Sequence, residues 1–227
     1  MIIHKPSRSV LLRSRDPQKI RQLVPKSKDV AFQGHNVAVK HGIEETKVLR
    51  NMGLNIPSPI FSYYDWPGMS PFEHQMATAA FCTYYNRGFI FNDMGTGKTA
   101  SLLWAADFVM REELMQRVLI VSPLSTLNLV WRSEIFKVFP QRTAQVLHGS
   151  RQQRFERLAQ PVDFYIVNHD GLEIIEKEII ARKDIDTLFY DEASVLRNAG
   201  TNKWKCMRRI LAARPDMRVY LASGTPC

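Results

Sequence analysis

Between the apolar tetrapeptide Gly88-Phe89-Ile90-Phe91 and a helix-like run from Lys98 to Met110 lies the stretch Asn92-Asp93-Met94-Gly95-Thr96-Gly97-Lys98-Thr99. A glycine-rich turn from strand to helix points several backbone N–H groups at one spot, and the helix N-terminus adds the positive end of its dipole. Such a turn holds an anion. At this spacing Lys98 can reach the outer phosphates of a nucleotide, and the Thr99 hydroxyl can ligate Mg²⁺. Asn92 stands where the common G-x-x-x-x-G-K-[ST] pattern has its first glycine. Gly88 to Phe91 reads as a short buried strand, so the motif predicts a strand–loop–helix unit in an α/β domain.

The pattern downstream agrees. Strands are predicted at Val118 to Val121, Ala144 to Leu147, Phe164 to Val167, Thr187 to Tyr190 and Val219 to Ala222. Helices are predicted at Phe72 to Tyr85, Leu127 to Phe139, Ser150 to Leu158, Leu172 to Arg182 and Lys203 to Ala213. Short, continuously apolar strands alternating with helices imply a mainly parallel sheet sandwiched by helices. Ligands bind such sheets at the carboxyl ends of the strands.

The first 56 residues read differently, as a small α/β module. Ser9 to Ser14 is a candidate strand, and Asp16-Pro17 is a helix start with an acidic cap and a proline in the first turn. A hairpin is expected around Gly34-His35-Asn36, and a helix from Gly42 to Met52, stopped by Gly53. Residues 57–70, with Pro57, Pro59, Phe61, Tyr63, Tyr64, Trp66 and Pro67, read as a linker. The expected organisation is therefore a module over 1–56, a linker over 57–70 and a nucleotide-binding domain over 71–227.

Charge separates the same regions. The chain carries a net +9, and residues 1–60 hold eleven Lys/Arg against four acids. Two readings stay open: a polyanionic partner, or a solvated basic face. No apolar run nears the roughly 18 residues of a membrane span, and the N-terminus lacks a signal-peptide core. Cys82, Cys206 and Cys227 show no metal-ligand spacing, which suggests reduced thiols in a cytoplasmic compartment.

A second motif closes the first strand-end site. Leu188-Phe189-Tyr190 runs apolar into Asp191-Glu192. Carboxylates at a strand end are costly to bury unless they serve a metal or a proton. The expected roles are Asp191 beside the Mg²⁺ held by Thr99, and Glu192 as the base that polarises water.

Asp191-Glu192-Ala193-Ser194 resembles the Asp-Glu-Ala-His box of superfamily-two helicases, and Asn92 to Thr99 resembles the phosphate loop of their Swi/Snf-type branch. Further stretches resemble that branch in its order: Pro71-Phe72-Glu73-His74-Gln75, Ser122-Pro123-Leu124 with Trp131, Ile166-Val167-Asn168-His169, Arg197-Asn198, and Ser223-Gly224-Thr225-Pro226. The likeness covers about residues 71–227, with the look of a compact phage or bacterial member, which would work in the bacterial cytoplasm.

The resemblance implies a RecA-like P-loop NTPase fold, with ATP and Mg²⁺ as cofactors. It implies that Gln75 reads the adenine, that Met94, Gly95, Thr96, Gly97, Lys98, Thr99 and Ala100 cradle the nucleotide, and that Lys98, Asp191 and Glu192 carry the catalysis. Ser122, Pro123, Leu124 and Thr126 are implied as sugar-phosphate contacts on DNA. His148, Arg151, Asn168 and His169 are further candidates, and Arg154 could add charge. Ser223, Gly224 and Thr225 are implied to couple hydrolysis to movement. Ser194 in place of His, and Asn168-His169 in place of threonines, depart from the pattern. Trp131 reads as helix core or as a base-stacking platform, and Lys203, Lys205, Arg208 and Arg209 as a solvated face or a DNA track.

Family members have a second RecA-like lobe that supplies arginine fingers and half of the DNA track. The expectation is thus the motor lobe of a duplex-DNA translocase, a truncated piece nearly inactive alone. An RNA or single-strand helicase and a non-catalytic nucleotide-binding scaffold are the competing readings.

Overall fold

The computed structural model describes residues 1–224. The chain divides into two compact units, 1–65 and 66–227. The division falls inside the segment expected to be a linker. Residues 57–65 belong with the first unit: Ile56 and Ile60 are fully buried, and Nε of Arg50 donates to the Ile56 carbonyl at 2.6 Å.

In the first unit, strands β1 (Ile2–His4), β2 (Ser9–Leu12), β3 (Lys28–Phe32) and β4 (His35–Lys40) form an antiparallel sheet in the order β1-β2-β4-β3. Helices α1 (Pro17–Leu23), α2 (Ile43–Asn51) and α3 (Ile60–Tyr63) complete it. Asp16 caps α1 by accepting from the Lys19 N–H at 3.1 Å. The core is Val10, Leu12, Val37 and Val39 from the sheet against Ile20, Val24 and Leu49. At three and four residues, β1 and α3 are too short to show a hydrophobic period in the sequence.

The second unit holds α4 (Glu73–Tyr84), β5 (Arg87–Ile90), α5 (Lys98–Arg111), β6 (Arg117–Ser122), α6 (Ser133–Val138), β7 (Ala144–Val146), α7 (Arg151–Leu158), β8 (Phe164–Asn168), α8 (His169–Ala181), β9 (Ile185–Tyr190), α9 (Asn202–Ala213) and β10 (Arg218–Ala222). Its six strands are all parallel, ordered β5-β10-β9-β6-β8-β7. Alternate strand residues point to opposite faces. Leu119, Val121, Tyr165, Val167 and Leu188 pack with Leu172, Ile175 and Ile179 of α8 and with Met207 and Ile210 of α9. The intervening Val118, Ile120, Phe164, Ile166 and Phe189 are buried as well. Burial on both faces is why these strands read as unbroken apolar runs.

Two expectations are corrected here. The strand before the phosphate loop is not a buried one: β5 is an edge strand, and Phe89 and Phe91 are 59% and 52% exposed. The single helix expected over Leu127 to Phe139 is instead a π-helical turn, Leu127–Arg132, followed by α6. Among the described residues no helix is long and apolar enough to cross a membrane.

Candidate active site

The loop from Asn92 to Gly97 connects β5 to α5, and its shape follows from its glycines. Gly95 and Gly97 both have φ +77°, a left-handed conformation that other residues adopt only at a cost. Gly97 is the residue just before α5, so the loop amides and the N-terminus of a fourteen-residue helix face the same place. The ammonium of Lys98 donates to the carbonyls of Asn92 and Asp93 at 2.8 and 2.9 Å, which closes the loop on itself.

Gln75, near the start of α4, is buried and braces this loop. Its Nε2 donates to the Thr96 carbonyl at 3.0 Å, and its Oε1 accepts from the Phe72 N–H at 3.0 Å. The ring of His74, stacked on Phe72, reaches the same Thr96 oxygen at 3.1 Å. A Cβ on Gly97 would lie 2.2 Å from Gln75 Nε2. The segment expected to read the adenine thus also shapes the phosphate loop. Asn92 Nδ2 donates to Thr78 Oγ1 of α4 at 3.0 Å, which gives the non-glycine residue at this position a structural task.

The end of β10 reaches the loop from the other side. The Ser223 N–H donates to the Ile90 carbonyl at 3.1 Å. A Cβ on Gly224 would lie 2.5 Å from Met94 Cγ and 3.6 Å from Lys98 Nζ. Ser223 and Gly224, expected as coupling residues, therefore sit against the nucleotide loop. Thr225 lies outside the described residues.

At the end of β9, the Asp191 N–H still follows the ladder, donating to the Val121 carbonyl at 2.8 Å. Glu192 then turns left-handed with φ 53°. A non-glycine residue in that region stores strain of a kind concentrated at functional sites. Asp191 Oδ1 accepts from the Glu192 N–H at 3.1 Å, while Oδ2 accepts from Ser122 Oγ at 3.0 Å and from the Trp131 indole at 3.2 Å.

The eight residues expected to meet nucleic acid divide into two groups. Leu124 is 58% exposed, His148 and Arg151 are exposed, and Pro123, Thr126 and Asn168 are partly so. Ser122 and His169 differ from expectation. The Ser122 side chain has no exposed surface, and its hydroxyl faces Asp191 rather than solvent. His169 Nε2 bonds the Asp191 carbonyl at 2.9 Å, and its ring stacks on Tyr190 at 5.0 Å. Burial holds this imidazole below its usual range, against the raising effect of the Asp191 carbonyl. The neutral ring then carries its proton on Nε2.

Arg154 is also not a surface charge. Its buried guanidinium donates to the Leu147 and Gly149 carbonyls and to Asn168 Oδ1, tying the β7 and β8 ends together. Trp131 is 1% exposed, so core rather than platform, but its indole nitrogen ends in the site, which the sequence pattern does not show.

This geometry suits a nucleotide with a hard cation. Two left-handed glycines, a helix N-terminus and one lysine form an anion cradle. The oxygen ligands expected for a cation are the Thr99 hydroxyl and the Asp191 carboxylate, and among the described residues no cluster of three or more His, Cys, Asp or Glu could hold a metal. Mg²⁺ matches such a set, because it binds through one or two protein oxygens with phosphates and water completing its shell.

Comparison with known proteins agrees. The profile described as SNF2-related domain matches residues 40–227. The chain belongs to that family. As an SNF2-related domain it is a RecA-like lobe of the Swi/Snf type, and the match begins within the first unit rather than at the unit boundary. The mouse protein "DNA excision repair protein ERCC-6-like" is 26% identical over 168 residues, 68% of this chain and 13% of that protein. A Drosophila melanogaster relative, "SWI/SNF-related matrix-associated actin-dependent regulator of chromatin subfamily A containing DEAD/H box 1 homolog", is 26% identical over 152 residues, 61% of this chain and 17% of that protein. The chain thus spans less than a fifth of the length of these relatives. Among solved structures, the "Sulfolobus solfataricus SWI2/SNF2 ATPase core in complex with dsDNA" superposes with a TM-score of 0.56 at 19% identity, over 70% of this chain and 33% of that one, which shows a shared fold.

Proposed function

We propose that this SNF2-related domain is the ATP-binding lobe of a motor that hydrolyses ATP on duplex DNA. The observation that carries the reading is the convergence of three elements on the phosphate loop: the Lys98 ammonium on the Asn92 carbonyl, the Gln75 brace on Thr96, and the end of β10 at Gly224. Bound Mg²⁺ supplies Lewis-acid stabilisation of the phosphates. Lys98 leaves its loop carbonyls to meet the outer phosphates, and Thr99 and Asp191 offer the oxygen ligands. Glu192 orients water and accepts its proton. Gly224, packed on Met94 and Lys98, lets a change at the phosphate loop bear directly on β10.

The first unit supports attraction to a polyanion, since Lys5, Arg13, Arg15, Lys19, Lys26, Lys28 and Lys40 are all exposed. The 227 residues contain one RecA-like lobe. An arginine finger from a second lobe is worth about 10³–10⁵ in rate in comparable enzymes, so residues 1–227 alone should turn over very slowly.

The test is ATPase activity of a protein carrying this chain with its second lobe, measured with duplex DNA, single strands and RNA. Duplex stimulation is expected, with Glu192→Gln lowering turnover by about 10²–10⁴-fold while nucleotide still binds. Stimulation by RNA or single strands alone would reassign the substrate, and turnover unaffected by Glu192→Gln would overturn the mechanism.

A further inference from the structure

Trp131 and Ser122 are both buried, yet neither polar group ends in apolar core. The indole N–H is shared between Ser122 Oγ at 2.9 Å and Asp191 Oδ2 at 3.2 Å. Ser122 Oγ lies 3.0 Å from Asp191 Oδ2 and 2.6 Å from Thr126 Oγ1. Counting protons orders this network. A carboxylate only accepts, so Ser122 gives its single proton to Asp191. The Ser122 oxygen then accepts from Trp131, and the single Thr126 proton is shared between Ser122 Oγ and the Pro123 carbonyl, 2.9 Å from Thr126 Oγ1. One carboxylate oxygen is thereby held by two donors, and bonds to an ionised acceptor are the stronger kind. Among the described residues, Oδ1 keeps only the adjacent Glu192 N–H at 3.1 Å.

The backbone around Trp131 is unusual in the same place. Leu127–Arg132 is π-helical. Such turns hold an extra residue, which shifts the direction of the side chains after it, and they recur at functional sites. Here the wide turn coincides with an indole nitrogen aimed at the end of β9.

We propose that Trp131 and Ser122 are positioning residues for the metal carboxylate. They hold Oδ2 of Asp191, which would leave Oδ1 for the cation, and Thr126 joins this clamp to the Pro123–Ser125 loop. The proposal rests on the reading of Asp191 as a Mg²⁺ ligand. It makes the surface loop after β6 and the metal site one hydrogen-bonded unit.

The test is binding of a fluorescent ATP analogue to the 227-residue chain, titrated with MgCl₂ and repeated in EDTA. Loss of a partner that orients a metal ligand typically weakens metal affinity by about 10–100-fold. Trp131→Phe and Ser122→Ala should raise the Mg²⁺ midpoint by about that factor and leave binding in EDTA unchanged. Ser122→Thr, which keeps the hydroxyl, should restore the midpoint. Asp191→Asn is the control for the underlying reading. If Asp191→Asn shifts the midpoint and Trp131→Phe and Ser122→Ala do not, the clamp is only packing and the proposal fails. If Asp191→Asn shifts nothing, the metal assignment fails and the proposal with it.

Discussion

The two ends of the six-stranded sheet solve opposite problems. Where the strands begin, Arg214, Asp107 and Tyr220 are buried and closed off by partners. Arg214 has no exposed surface, and its guanidinium donates to the carbonyls of Ile179, Arg182, Lys183 and Ile185 and to Asp216. Asp107, equally buried, is paired with Arg142 and Arg111. Tyr220 shares its one hydroxyl proton between carbonyls at the end of α4 and just beyond it, Cys82 and Tyr85. Where the strands end, the backbone turns left-handed at Gly95, Gly97 and Glu192. There Lys98 rests on its own loop, and exposed Leu124 follows buried Ser122. One end holds the fold together, and the other keeps strain and polar groups available for a ligand. Parallel strands make this division possible, because all their carboxyl ends share one edge.

The largest effect on stability is expected at the closed end. Arg214→Ala leaves several buried carbonyls without donors and should destabilise the domain by about 3–5 kcal/mol, read from urea unfolding. A loss below about 1 kcal/mol would mean that this end does not hold the sheet as described.

A smaller effect separates two glycines of the open end. Gly97→Ala meets both left-handed strain and Gln75, and should cost about 2–3 kcal/mol together with the bond from Gln75 to Thr96. Gly95→Ala has the same φ but nothing within 4 Å of the added carbon, so about 1 kcal/mol is expected. Equal costs would show that the Gln75 brace adds nothing.

The smallest effect is in pH. His169 titrates below its ordinary 6.5 when folded, so its neutral form favours the native state. That stability is complete above the unfolded value and falls as pH drops through it toward the folded one. His41, held down by burial between Tyr63 and the Pro57 carbonyl, contributes with the same sign. Urea midpoints between pH 8 and pH 5 should decline less for His169→Asn than for the parent chain. An unchanged decline would assign the acid sensitivity to His41 or elsewhere.

Much of the second unit is legible in the sequence because its signals are local. Apolar runs mark five of its strands, and Gly95, Gly97, Lys98 and Thr99 mark the loop. Gly88 to Phe91 misleads for a physical reason: an edge strand and a central strand share the same local composition, and only pairing tells them apart. The single helix expected over Leu127 to Phe139 misleads likewise, since six residues are too few to tell an α-helical from a π-helical period. Ser122 and His169 read as surface contacts because a hydroxyl or an imidazole after an apolar strand has no local mark of which way it turns.

What the sequence alone determined is the class of fold, the kinship to Swi/Snf-type motors, and the identity of the residues around the phosphate loop and the acidic strand end. These depend on spacing along the chain, where steric rules and helix dipoles act over a few residues. The tertiary structure decided which strand lies at the edge, that Gln75 and Gly224 press on the loop from α4 and β10, and that Trp131 and Ser122 grip Asp191. Those contacts join residues 20 to 130 positions apart, and such pairings exist only once the sheet has set its order.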